Sequence, residues 1–124
     1  MAGKKLSAKA QQTMAVLEEG RRKARRLHGF IEQYCSAHGG QDSLAQSIAR
    51  TGSDVARVFM NAGLGVMADT ANQIGMGIKR GGHTQSKYRQ MRELMGSLLA
   101  GIDRQEKVVM DMDAMAKDDP EGSH

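Results

Sequence analysis

Residues 77–84 read Gly-Ile-Lys-Arg-Gly-Gly-His-Thr, with Gly77 and Gly82 spaced as in a phosphate-binding P-loop and His83 where that loop carries lysine. A P-loop joins a strand to a helix, and its lysine reaches the terminal phosphates. Here the preceding residues form a glycine-broken helical pattern, and no later apolar strand ends in an acid to hold magnesium. Nucleotide hydrolysis is therefore not expected, and the stretch reads as a link between helices. Its chemistry is that of an anion cradle. Gly81 and Gly82 would expose backbone amides ahead of a helix starting at Thr84, where the helix dipole is positive. Lys79, Arg80, His83 and Lys87 surround that point, and Arg89 and Arg92 carry the charge along the helix. A polar, basic link is also ordinary between helices.

A second basic cluster lies at residues 21–28, Arg-Arg-Lys-Ala-Arg-Arg-Leu-His. At helical spacing, Arg21, Arg22, Lys23, Arg25 and Arg26 spread over the side opposite Leu17, Ala24, Leu27 and Ile31, so they are expected to face solvent. Glu18 and Glu19 are too few to neutralise them. Solvated helical faces usually mix both signs. This face does not for nearly two turns, which points to a polyanion bound through its phosphates.

Catalytic chemistry finds no constellation. Glu32 lies one turn after His28, but no Glu-x-x-His pair of the di-iron type is present. Asp103 with Glu106, and Lys107 with Asp111, are ordinary helix-surface spacings. The single cysteine, Cys35, excludes an internal disulfide and any Cys-x-x-Cys metal motif, and fits a reducing compartment. Met91, Met95, Met110, Met112 and Met115 could suggest soft-metal binding, yet Met91, Met95 and Met112 share an apolar stripe where methionine fills space. No catalytic residue, metal or cofactor is expected.

The elements that must position these groups are helical. The first is expected from about Leu6 to Ala37, capped by Ser7, with Met14, Leu17, Ala24, Leu27, Ile31 and Tyr34 on one stripe. It ends at His38-Gly39-Gly40, a glycine stop signal. A second helix opens at Asp42 or Ser43 and runs to about Asn61. A third, looser one spans about Val66 to Ile78, weakened by Gly63, Gly65, Gly75 and Gly77. The last runs from Thr84 to about Lys117. Its positions Tyr88, Met91, Met95, Leu98, Ile102, Gln105, Val109, Met112 and Ala116 step by three and four, a coiled-coil seam with one polar interruption. Met91, Met95, Leu98, Ile102, Val109 and Met112 are the candidate protein interface.

Two long helices flanking two shorter ones predict an all-α up-down bundle of about four helices. The expected organisation is a basic tail over 1–5, a helical domain over 6–117 and an acidic tail over 118–124. The chain has 124 residues, four aromatics, ten methionines and fifteen glycines, so the core must rest on Leu, Ile, Val, Met and Ala. Its net charge of +4 hides an asymmetry: from Met1 to Arg26 eight bases meet two acids, and from Asp103 to Glu121 seven acids meet three bases. Antiparallel first and last helices would bring the two ends together, and surface attraction favours that order. No charged-then-apolar leader opens the chain, and the most apolar window, 58–78, holds Asn61, Asp69, Asn72 and Gln73. Neither a secretory signal nor a membrane span is expected, and the cytoplasm is the expected location.

These features predict a non-enzymatic helical accessory subunit that holds a nucleic-acid backbone without reading sequence, inside a larger nucleoprotein assembly. Stacking aromatics are scarce, and no helix-turn-helix or zinc module appears. The small helical subunits of RNA-guided effector complexes are similar in kind, being short, helical and basic, although no motif carries the likeness. The alternative is a scaffold or adaptor of the secretion or conjugation type, forming homo-oligomers through its Met/Leu seam.

Overall fold

The computed structural model describes residues 6–36, 42–80 and 84–118. They form four α-helices and no strand: α1 (Ala8–Ser36), α2 (Asp42–Asn61), α3 (Gly65–Lys79) and α4 (Gln85–Asp118). Each helix packs on the next, and α4 closes back on α1, so the cross-section is a square with the diagonal pairs apart. The chain is an all-α four-helix bundle.

Local chemistry explains the helix ends. The Ser7 hydroxyl accepts a hydrogen bond from the Ala10 amide at 3.2 Å, and the Thr84 hydroxyl accepts one from Lys87 at 3.1 Å. Each satisfies a first-turn amide that has no helical carbonyl. The expected first residues, Leu6 and Thr84, lie just outside the helices they precede. The α2–α3 turn is set by Gly63 at φ 78°, a left-handed conformation that favours glycine. Leu64 N–H donates to Phe59 C=O at 2.8 Å and Gly63 N–H to Met60 C=O at 3.0 Å, the paired bonds of a Schellman stop.

The third helix is regular despite its glycines, because tertiary contact offsets their weak propensity. A Cβ at Gly52 on α2 would stand 3.2 Å from the Ala71 carbonyl oxygen and 3.5 Å from Gly75 Cα. Without side chains there, α2 and α3 pack backbone to backbone.

The core runs through all four helices: Leu17, Leu27 and Ile31 from α1, Ile48, Val55 and Phe59 from α2, Ala71 and Ile74 from α3, and Met91, Met95, Leu98 and Ile102 from α4. This corrects the interface expected from the α4 seam. Met91, Met95 and Leu98 are 1% exposed and Ile102 is 0% exposed, covered by the chain's own helices. A thin, aromatic-poor core needs that much of α4 to close. Beyond Ile102 the seam emerges. Val109 is partly buried, whereas Met112 is 65% exposed.

The reason is length. At about 1.5 Å per residue α1 and α4 span roughly 44 and 51 Å, against about 30 and 22 Å for α2 and α3. Phe59, near the end of α2, lies against Gly20, and Met67, at the start of α3, lies against Gly101. The N-terminal part of α1 and the C-terminal part of α4 therefore continue past the α2–α3 turn as a two-helix arm. Asp113 accepts from the Ser7 amide at 3.3 Å across its far end, which shows the two helices to be antiparallel.

Candidate nucleic-acid interface

The cluster on α1 divides by direction. Arg21 points toward α4, where its Nη2 donates to Asp103 at 2.6 Å and also to Glu106. The hydrogen bond to Asp103 leads the causes that hold this guanidinium firmly charged. Arg21 is thus a clamp between helices and is withdrawn from the expected phosphate-binding set. Arg22, Arg25 and Arg26 are exposed and Lys23 is half-buried, none with a carboxylate partner among the described residues.

Packing α2 beside α1 builds a groove that the sequence did not announce. Lys23, Arg26 and Phe30 line one wall, and Ser47, Arg50, Thr51 and Asp54 line the other. The Arg26 guanidinium sits 5.7 Å from the centre of the Phe30 ring, which holds the cation at the groove edge. Asp54 is the groove's acid and has Arg57 at 3.5 Å. Lys23, Arg26 and Arg50 therefore leave the groove net positive, and Ser47 and Thr51 add two hydroxyls to its lining. Sequence reasoning missed Arg50, Phe30, Ser47 and Thr51. The signal available was the three-and-four spacing of polar residues 47, 50, 51, 54 and 57 along α2, the edge beside its apolar stripe.

The second expected patch divides too, with two of its six side chains taken up by contacts between helices. Lys87 Nζ donates to the Arg80 carbonyl at 2.7 Å, the Ile78 carbonyl at 3.3 Å and the Tyr34 hydroxyl at 3.2 Å, and lies 5.4 Å from the Tyr34 ring centre. The Lys87 ammonium, reaching from α4 to the C-terminal end of α3, satisfies carbonyls that have run out of helical donors and meets the negative end of the dipole. Arg92 grips both oxygens of Glu32 on α1, at 3.0 and 3.1 Å. Lys87 and Arg92 are therefore structural. Lys79, Arg80 and Arg89 remain exposed. His83, Gly81 and Gly82, and with them the proposed amide cradle, lie outside the described residues.

The Arg92 hydrogen bond, reinforced by its charge and by His28 at 3.7 Å, holds the Glu32 carboxyl below its ordinary range. A depressed folded pKa stabilises the protein above the unfolded carboxylate pKa, and that contribution disappears as pH falls through the folded value. Glu32 is 44% exposed, so solvent screens the effect. We expect the melting temperature to fall modestly on acidification through the carboxylate range, and Glu32→Gln to flatten part of that slope in pH-dependent thermal melts. Burial pushes the Cys35 thiol up, keeping it protonated and a poor nucleophile.

Among the described residues no group of three or more His, Cys, Asp or Glu side chains could hold a metal ion, and no helix is long and apolar enough to cross a membrane. Compared with family models, curated protein sequences and solved structures, the chain matches none.

Proposed function

We propose that the protein is a non-enzymatic helical accessory subunit that binds a nucleic-acid backbone along the outer face of α1 and the α1–α2 groove, inside a larger nucleoprotein assembly. The supporting observation is that Arg22, Lys23, Arg25, Arg26 and Arg50 have no carboxylate partner among the described residues, while Arg21 and Arg92 are engaged in helix–helix contacts. The groove offers cations and hydroxyls for phosphate oxygens, and only Phe30 for stacking. Recognition is then of backbone and shape, without sequence readout. The reducing, cytoplasmic setting expected from the lone cysteine belongs to the same reading.

Fluorescence anisotropy with labelled RNA and DNA tests it. The nuclease-treated protein should bind either polymer, with log affinity falling linearly against log salt. The triple variant R22E/R25E/R26E should lose about 100-fold in affinity, and its salt slope should shrink by about 3. Its melting temperature should hold, because these side chains are exposed. Absence of any polyanion binding at moderate salt would remove the proposal. A scaffold that meets an acidic protein through the same cations would instead keep its partner in a pull-down after nuclease treatment.

A further inference from the structure

We propose that the nucleic acid taken by the α1–α2 groove is single-stranded, with one unstacked base laid on the Arg26–Phe30 pair and the adjoining phosphate between Arg26 and Arg50. This rests on the polyanion binding proposed for the same groove and narrows its ligand.

Aromatic placement points to a base. Of the four aromatic side chains, Tyr34, Phe59 and Tyr88 are buried in the core. Phe30 alone is half-buried, packed in part against the core and in part lining the groove. The Arg26 guanidinium, 5.7 Å from its ring centre, is held there by cation–π attraction, and the Arg26 side chain is otherwise exposed. A guanidinium offers its faces for stacking and its edge N–H groups for phosphate. One arginine can therefore meet a base and the phosphate beside it.

Charge places the phosphate. With Phe59 level with Gly20, the groove has three levels counted from the α2–α3 turn. Lys23 lies with Asp54, then Arg26 with Arg50 and Thr51, then Phe30 with Ser47. At the first level Asp54 and the neighbouring Glu19 offset Lys23 and Arg57, and Asp54 is engaged with Arg57 at 3.5 Å. The surplus positive charge is thus that of Arg26 and Arg50. No other acid reaches them. Glu32, the next acid along α1, is held by Arg92 on α4, and Asp42 is turned about 130° around α2 from the groove. Thr51 and Ser47 supply hydroxyls at the same level and at the next.

Strand number follows from access. Inside a duplex each base is covered by its neighbours, so none is free to lie on Arg26, whereas a single strand can splay one out. A surface that bound phosphates alone would favour the duplex, which carries one charge per ~1.7 Å of axis. Preference for a single strand therefore isolates the stacking contribution.

Fluorescence anisotropy of the nuclease-treated full chain is the test, with an unstructured single-stranded oligonucleotide, its duplex and an abasic strand of equal length. The wild type should bind the single strand about tenfold more tightly than either of the others at one salt concentration. R26K keeps the charge and loses the plane, so the preference should fall to near one while the salt slope stays. The chain has no tryptophan, so F30W provides a lone reporter at the platform. Its emission should be quenched by the single strand and left unchanged by the abasic one. Arg26 is exposed, so R26K reports on stacking even if F30W disturbs the core. Equal affinity for the base-bearing and abasic strands overturns the proposal and leaves backbone binding standing. So does a duplex bound as tightly as the single strand, or an R26K variant with its preference intact. Failure to bind any of the three removes both.

Discussion

Aspartate at Leu98 should unfold this protein rather than dissociate it. Leu98 is 1% exposed in the middle of α4, between Met95 and Ile102, and all three belong to the core shared by the four helices. A carboxylate there loses the leucine's burial and must either stay charged without partners or take up a proton. Either way the loss is several kcal/mol, comparable with the ~5–15 kcal/mol that holds a domain of this size. Circular dichroism and urea titration should show no cooperative transition for L98D at room temperature. Met112, two heptads along the same stripe, is the control. Aspartate there should leave the unfolding midpoint where it was, because that side chain is 65% exposed. An L98D variant that melts like wild type would show the upper seam to be a surface between chains.

Replacing Gly20 with alanine should cost about 2 kcal/mol, against the direction of helix propensity. Glycine inside a helix is worse than alanine by about 1 kcal/mol, so an exposed position would gain from the change. At Gly20 the added methyl would fall inside the van der Waals envelope of Phe59 Cζ and Cε1. Phe59 is 0% exposed and cannot swing into solvent. Overpacking of this kind typically costs ~1–3 kcal/mol, and valine at the same site should cost more. Shortening the ring in G20A/F59L should recover part of the loss, and chemical denaturation of the four variants closes the cycle. If G20A is neutral or stabilising, α1 and α2 do not approach as closely as described. The pair also matters for function. Gly20 lies one residue before the basic cluster, and Phe59 holds α2 at the distance that forms the groove between Lys23 and Arg50.

The number, order and bounds of the helices could be read from the chain because they depend on local information. Three-and-four spacing of Ala24, Leu27, Ile31 and Tyr34 and a hydroxyl at Ser7 act within a turn or two of where they stand, whereas the Gly39-Gly40 stop signal lies outside the described residues. Even the buried stripe of α4 was visible as periodicity. What periodicity could not say is who covers it. An apolar seam looks the same whether its neighbour is the same chain or another, and only the unequal helix lengths decide that Met95 and Leu98 are core while Met112 is surface. Charge behaves likewise. Arg21 and Arg22 are adjacent and chemically identical in sequence, but a rotation of about 100° turns one to Asp103 and Glu106 and the other to solvent. Lys87 read as a phosphate ligand until the end of α3 arrived beside it with unsatisfied carbonyls. Arg50 entered the groove only when α2 lay along α1. The sequence by itself determined the elements and the total of charge. Tertiary structure alone decided which charges stay uncompensated, because compensation depends on partners far away in the chain.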